Sequence, residues 1–227
     1  MKRKIAALCL LISLLCGAAV WMQAKADSPA AYTAEDIFGR SEQAILYIRI
    51  LREDDSVKAT GTGVILSPDG LAATAYHVVK EASRIEGTLR DGSVVGPIEV
   101  VAVDEQTDAA VLQLPALKSG PAGGYAFLPI RETAVNFGEQ VFAIGYPMAN
   151  TPVITEGIVN NPKAEVNGRD RVLTSAQIAS GMSGGPIIDR FGRVAGIISG
   201  SLRTMNNIHL VIPLKEVRSL LPVVKTP

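Results

Sequence analysis

The sequence predicts an all-β protein made of two β-barrels and a terminal helix. Short β-type runs recur along the chain, tight-turn signals separate them, and a Gly/Pro/Ser-rich stretch divides them into halves of similar size. The 227 residues are 48% hydrophobic and 19% charged, a globular rather than a disordered balance. Lys+Arg and Asp+Glu both number 22, so no net field would recruit nucleic acid. There is no His-Glu-x-x-His, no Walker lysine and no Cys/His cluster, and Gly61-Thr62-Gly63 lacks the third glycine of a dinucleotide loop. Neither a metal nor an organic cofactor is expected.

Residues 1–26 have the layout of a secretory signal peptide. Lys2, Arg3 and Lys4 form a basic start, an apolar run follows, and Ala24-Lys25-Ala26 is a small-x-small cleavage pattern. Cleavage after Ala26 would place the protein in a secreted, periplasmic or cell-surface compartment. The competing reading is an uncleaved anchor, because about 18 apolar residues approach the length that spans a bilayer. Cleavage leaves 201 residues with 18 basic against 22 acidic side chains. It also removes Cys9 and Cys16, so the mature core must hold without disulfides.

Residues 27–43 read as an extension with a short helix over 33–44, capped by Thr33 with Glu35 and Asp36 in its first turn. Residues 44–118 form the expected first barrel. Ser67-Pro68-Asp69-Gly70 is a turn between Val64-Ile65-Leu66 and Leu71-Ala72-Ala73, and Asp91-Gly92 is another before Val94-Val95. Further strands are expected at 44–50, 98–103 and 109–114. A linker occupies 119–136. The second barrel spans 137–213, with strands at 140–144 and 208–212 and a turn at Asp189-Arg190-Phe191-Gly192. In 214–227, Leu214, Val217, Leu220 and Leu221 repeat at helical spacing after Pro213, a tolerated helix starter.

Three segments carry chemistry. In Gly181-Met182-Ser183-Gly184-Gly185-Pro186, glycines around a serine permit the unusual dihedrals that expose a hydroxyl and aim backbone N–H groups at a developing oxyanion. Seen alone it also fits an ordinary glycine-rich turn. Thr74-Ala75-Tyr76-His77-Val78-Val79 supplies an imidazole suited to general-base work near neutrality. The other histidine, His209, sits in an apolar strand and reads as structural. Asp104-Glu105-Gln106-Thr107-Asp108 ends at the mouth of an apolar strand, where an acid can accept the second imidazole N–H. Asp108 abuts the strand and is the better placed, with Asp104 as fallback.

The order His77, Asp108, Ser183 resembles that of the chymotrypsin-like serine proteases, most closely the bacterial HtrA branch. The resemblance runs from about residue 44 to 214. It rests on Gly61-Thr62-Gly63-Val64-Ile65-Leu66-Ser67-Pro68-Asp69-Gly70, Thr107-Asp108-Ala109-Ala110-Val111-Leu112 and Val141-Phe142-Ala143-Ile144-Gly145-Tyr146-Pro147, with Thr155-Glu156-Gly157-Ile158-Val159 and the serine segment. It implies two six-stranded antiparallel Greek-key barrels with the cleft between them. His77 and Asp108 would come from the first, and Ser183 from the second. It further implies a Ser183–His77–Asp108 triad and an oxyanion hole from the amides of Gly181, Met182 and Ser183.

Departures from the family pattern shape the remaining expectations. Met182 stands where HtrA-like proteases usually carry Asn. The residues after the second barrel are too few for the PDZ domain that the family commonly adds. Tyr32 and Phe38 fall where relatives trimerise, so the resemblance admits a homotrimer without fixing the oligomeric state. Ile178, Leu202 and Ile208 match S1-pocket positions, and Gln177 lies where trypsin has its acidic specificity residue. The implied substrates are unfolded polypeptides cut after small or medium aliphatic residues. Two alternatives stay open: a non-catalytic chaperone-like or binding protein on the same fold, and a glutamyl endopeptidase with His209 in its pocket.

Overall fold

The computed structural model describes residues 31–117, 124–202 and 204–221. The expected signal peptide and the end of the expected C-terminal tail lie outside the described residues. Helix α1 (Ala34–Ser41) begins at Thr33, whose Oγ1 accepts from the Asp36 N–H while the Asp36 carboxylate accepts from the Thr33 N–H. This reciprocal cap satisfies two otherwise orphaned donors. The chain then turns through Glu42–Ala44 into β1 (Ile45–Leu51), followed by β2 (Val57–Ile65) and β3 (Leu71–Ala75). A single helical turn, α2 (Tyr76–Val79), leads to β4 (Arg84–Thr88), β5 (Val94–Val95), β6 (Glu99–Asp104) and β7 (Ala109–Gln113).

These seven strands form one antiparallel sheet in the order β5-β4-β1-β2-β3-β7-β6. The expected closed six-stranded barrel is therefore a seven-stranded sheet whose end strands do not hydrogen-bond to each other. Its last strand on one side, β5, is only two residues long and runs into Gly96-Pro97, where the proline has no amide to extend a ladder.

The second half does close. Strands β8 (Gln140–Met148), β9 (Thr151–Val166), β10 (Arg169–Thr174), β11 (Pro186–Asp189), β12 (Val194–Ser201) and β13 (His209–Pro213) make a barrel in the order β10-β13-β12-β11-β8-β9. Helix α3 (Leu214–Leu220) follows directly, with Leu214 and Val217 buried as their spacing predicts. Strands β4, β9 and β10 were not foreseen. β9 is half-exposed along most of its sixteen residues, so its apolar pattern is faint. It turns into β10 at Asn167-Gly168, both at positive φ, the backbone that a two-residue hairpin turn requires.

One core cluster fills the first sheet and crosses the seam to Phe142, Ile144, Ile188, Ile197, Leu214 and Val217. A second fills the closed barrel with Val141, Ala143, Val172, Met182, Ile187, Ile198 and Val211. Tyr32 and Phe38 are half-buried against this chain's own core, and the Tyr32 amide donates to the Arg190 carbonyl at 2.9 Å. No helix among the described residues is long and apolar enough to cross a membrane.

The segment entering the second barrel is pinned by Arg131, 5% exposed. Its guanidinium reaches Glu139 Oε1 at 2.8 Å, the Thr133 and Ala134 carbonyls at 2.9 Å, and Asp189 Oδ2 at 3.6 Å. Removing one partner of a buried ion pair typically costs 3–5 kcal/mol. Asp189 keeps Arg193 at 2.8 Å, so Arg131→Met should cost about 3 kcal/mol, the low end of that range, read as a lowered urea midpoint.

Candidate active site

Asp108 begins the construction. It sits at the turn before β7 with φ +68, a left-handed conformation uncommon for a residue with a side chain but tolerated by Asp. Its carbonyl accepts from the Tyr76 N–H at 2.7 Å and its Oδ1 from the His77 N–H at 3.0 Å, which fixes the first turn of α2. His77 Nδ1 then lies 3.0 Å from both carboxylate oxygens. The carboxylate is buried whereas the imidazole is half-exposed, its side chain 46% accessible. Burial is the largest influence on Asp108 and pushes its pKa up. Hydrogen bonds from His77 and Ser199, with the charge and amide of His77, outweigh it and hold the carboxyl below its ordinary value. An ionised Asp108 only accepts, so Nδ1 carries the hydrogen, and in the neutral ring Nε2 is the nitrogen that presents a lone pair.

Asp104, the fallback, is not brought to His77. Its Oδ1 accepts from the Gln106 and Thr107 amides at 2.8 and 3.2 Å and shapes its own turn. The residue that sequence reasoning missed is Ser199 on β12. Its Oγ donates to Asp108 Oδ2 at 2.6 Å, and its carbonyl accepts from Ser183 Oγ at 3.3 Å. His77, Asp108, Ser199 and Ser183 thus form one hydrogen-bonded chain across the seam. Among the described residues Ser183 Oγ makes this bond alone and none to His77.

The serine loop is shaped by close approach. Gly181 and Gly184 have φ of +92 and +87, and a Cβ at Gly184 would collide with Thr74 Oγ1 and the Thr62 carbonyl. Thr62, fully buried on β2, clasps the loop. Its N–H donates to the Ser183 carbonyl at 2.9 Å, its Oγ1 donates to the Gly181 carbonyl at 2.7 Å, and that oxygen accepts from the Tyr146 N–H at 2.9 Å. Thr62 was visible only as the middle of Gly61-Thr62-Gly63, where no spacing rule marks a threonine as a clasp.

Of the three amides expected to form an oxyanion hole, one is engaged elsewhere. The Met182 N–H donates to the Ala179 carbonyl at 3.1 Å, closing a turn, so it is unavailable. Its side chain, 1% exposed, lies in the core of the closed barrel, and its Sδ accepts from the Ala179 N–H at 3.4 Å. The amides of Gly181 and Ser183 make no hydrogen bond among the described residues.

The expected pocket residues Ile178, Leu202 and Ile208 are each half-buried. Ile178 packs on the core of the second barrel, and the Leu202 N–H donates to the Ile208 carbonyl at 3.1 Å. Gln177 is exposed and donates to Asn207 at 3.0 Å. His209 is buried, with Nδ1 2.8 Å from Ser201 Oγ and Nε2 without a partner among the described residues, and burial lowers its pKa. Among the described residues no three His, Cys, Asp or Glu side chains cluster to hold a metal ion.

A closed barrel and an antiparallel sheet meeting at a His, an Asp and a Ser define the chymotrypsin-like class of fold. The chain belongs to the family of the trypsin-like peptidase domain, which matches residues 61–197, more than half its length. It is 30% identical over 200 residues to the serine protease HTRA1 of Xenopus laevis, covering 82% of this chain and 42% of that one. It is 31% identical over 184 residues to a DegP-like protein of Chlamydia trachomatis named as a periplasmic serine endoprotease, covering 77% and 36%. The crystal structure of the serine endoprotease from Yersinia pestis matches with a TM-score of 0.70 at 25% identity, over 84% of this chain and 65% of that one. The chain therefore spans about two fifths of the length of these curated relatives.

Two predictions follow from this geometry. Thr62→Val should strand the Gly181 carbonyl and the Tyr146 amide, at about 1–3 kcal/mol each. Slackening of the loop should lower kcat on a peptide ester about 10- to 100-fold with a smaller change in KM, and Thr62→Ser should restore most of it. For His209, a pKa depressed on folding means that the unfolded chain binds more protons. The stabilising contribution is complete above the ordinary histidine value of about 6.5 and is lost as pH falls through the depressed one. The urea midpoint should therefore fall from pH 7.5 to pH 5.5, by less in His209→Gln.

Proposed function

We propose that the chain is an exported serine endopeptidase. The observation that carries this reading is the hydrogen-bonded chain from His77 through Asp108 and Ser199 to Ser183, beside two free amides on the serine loop. Ser183 Oγ turns from the Ser199 carbonyl toward His77, and a peptide carbonyl carbon takes its attack while Nε2 receives its proton. The negative oxygen of the tetrahedral intermediate is held by the Gly181 and Ser183 N–H groups. Each such donor is typically worth about 3 kcal/mol in the transition state. Collapse breaks the C–N bond, His77 returns the proton to the leaving amine, and a water activated by His77 hydrolyses the acyl-enzyme. Asp108 holds the imidazole tautomer and balances the charge that His77 gains. No cofactor enters any step.

For substrates, we read unfolded polypeptides cut after small or medium aliphatic residues. The apolar, half-buried Ile178, Leu202 and Ile208 support this, as does the absence of a carboxylate at Gln177. The glutamyl alternative is not favoured, because a buried His209 with a lowered pKa carries no positive charge at neutral pH. Export rests on the basic, apolar and small-x-small pattern of residues 1–26, and one similar protein is named as periplasmic. Homotrimer formation through Tyr32 and Phe38 draws on the part of their surface that the chain leaves exposed. One observation favours the second reading, a chaperone-like binder without turnover: Ser183 Oγ rests on Ser199 instead of His77.

Comparing casein digestion by the mature protein and by Ser183→Ala separates the two. The expected result is a rate loss of about 10⁴-fold or more, with fluorophosphonate labelling of the wild type only. Equal digestion by both proteins, or no labelling, would end the protease reading. A peptide library should place cuts after Ala, Val or Ile, and clustering after Arg, Lys or Glu would refute the pocket assignment.

A further inference from the structure

Two arginines lie buried in the second half, and they are treated differently. Arg131 has Glu139 and Asp189 as counter-ions. Arg171 on β10 is only 3% exposed, yet it has no ion-pair partner among the described residues. Its one hydrogen bond runs from Nη1 to the Asp170 carbonyl at 2.8 Å, while the Asp170 carboxylate is engaged by Lys215 at 2.8 Å. A buried charge without a counter-ion costs several kcal/mol, and an arginine does not escape the cost by losing its proton.

Arg171 lines a cavity of about 370 Å³ with Val166, Asn167, Arg169, Ser199 and Leu210. Two of the six are cationic and none is acidic. Ser199 is also the residue that touches both Asp108 and Ser183, so the cavity shares a wall with the candidate triad. Burial is the strongest influence on Arg171 and lowers its pKa, and the charge of Asp108 is the main opposing one. That acid is already engaged by His77 and Ser199.

The cavity lies where a bound peptide would pass. β12 pairs with β11 only as far as Ile197, opposite Pro186, which leaves the same edge of residues 199–201 without a strand partner. An extended substrate adding there from Ser183 advances about 3.3 Å per residue. The residues two to four positions before the scissile bond would then lie alongside Ser199, Gly200 and Ser201. Gly200 stands opposite Leu210 in the sheet, so its missing side chain belongs to the face that Leu210 presents to the cavity. Apart from its chain neighbours, no atom of the described residues lies within 4 Å of the place where its Cβ would be.

We propose that this cavity is an acid-accepting subsite, in which Arg171, Arg169 and Asn167 take a carboxylate side chain of the substrate two to four residues before the cut. The inference rests on the endopeptidase reading of the same cleft and adds a second specificity element, independent of the pocket for the residue at the cut.

The test uses matched peptides with Glu or Gln at each of those three positions. Turnover is followed with the wild type and binding by fluorescence anisotropy with Ser183→Ala. A charge-assisted bond to arginine predicts a Glu-over-Gln ratio of about ten at one position, in kcat/KM and in affinity alike. In Arg171→Met, and in the half-exposed Arg169→Ala should Arg171→Met fail to fold, that ratio should fall to within about twofold of one. A ratio of one at all three positions in the parent proteins overturns the proposal. A ratio that survives both substitutions also overturns it. An equal loss for both peptides in Arg171→Met, with no change in ratio, would assign Arg171 to supporting Asp108 instead. A binding preference without turnover would leave the subsite standing and remove the protease reading alone.

Discussion

The clasp between Thr62 and the serine loop is the contact on which the rest of the architecture depends. One threonine on β2 of the first sheet bonds to the carbonyls of Gly181 and Ser183 and to the amide of Tyr146 on β8, and its own carbonyl accepts from Thr74 Oγ1 at 2.8 Å. Three polar groups of the second half that would otherwise be unsatisfied are thereby paired across the seam, and Thr74 Oγ1 is paired within the first sheet. The clasp needs the two halves in contact and a loop without side chains at its closest points, conditions met by the shared core and by Gly184. The Ser183 carbonyl is held, and among the described residues the amides of Gly181 and Ser183 stay unpaired.

A second consequence concerns charge. The Asp108 carboxylate is buried at the same seam, and three donors from two separate elements make that tolerable: the His77 ring and amide on α2 and the Ser199 hydroxyl on β12. Neither half alone supplies the full set. The acid is therefore properly solvated by protein only when both halves are folded and docked, which couples the electrostatics of the site to the stability of the seam. No cysteine lies among the described residues, so apolar packing and these polar contacts hold the seam together.

Much of this was legible in the sequence wherever a local rule applies. The Thr33 cap, the turn signals at 67–70, 91–92 and 189–192 and the helical spacing after Pro213 are short-range signals, and the structure has an element at each. The histidine, acid and serine segments stood out because each pairs an unusual residue type with an unusual backbone context. The hairpin at Asn167-Gly168 was equally legible and was passed over, because the half-exposed flanking strand β9 lacks alternation. Thr62 and Ser199 lie 119 and 91 residues from partners that give them meaning, and no local pattern encodes such contacts. The loss of the Met182 amide to Ala179 is a matter of turn geometry, which side-chain identity does not specify.

The methionine beside Ser183 carries one further implication. Its sulfur is anchored inside the closed barrel at 1% exposure, whereas Met148 and Met205 stand 59% and 55% open to solvent. A mild oxidant would thus reach the two surface thioethers first and spare the anchor unless the loop breathes. Sulfoxide formation at position 182 becomes a chemical record of that breathing, and it would place a larger polar group among apolar core side chains, beside the Ala179 amide that the sulfur already accepts from.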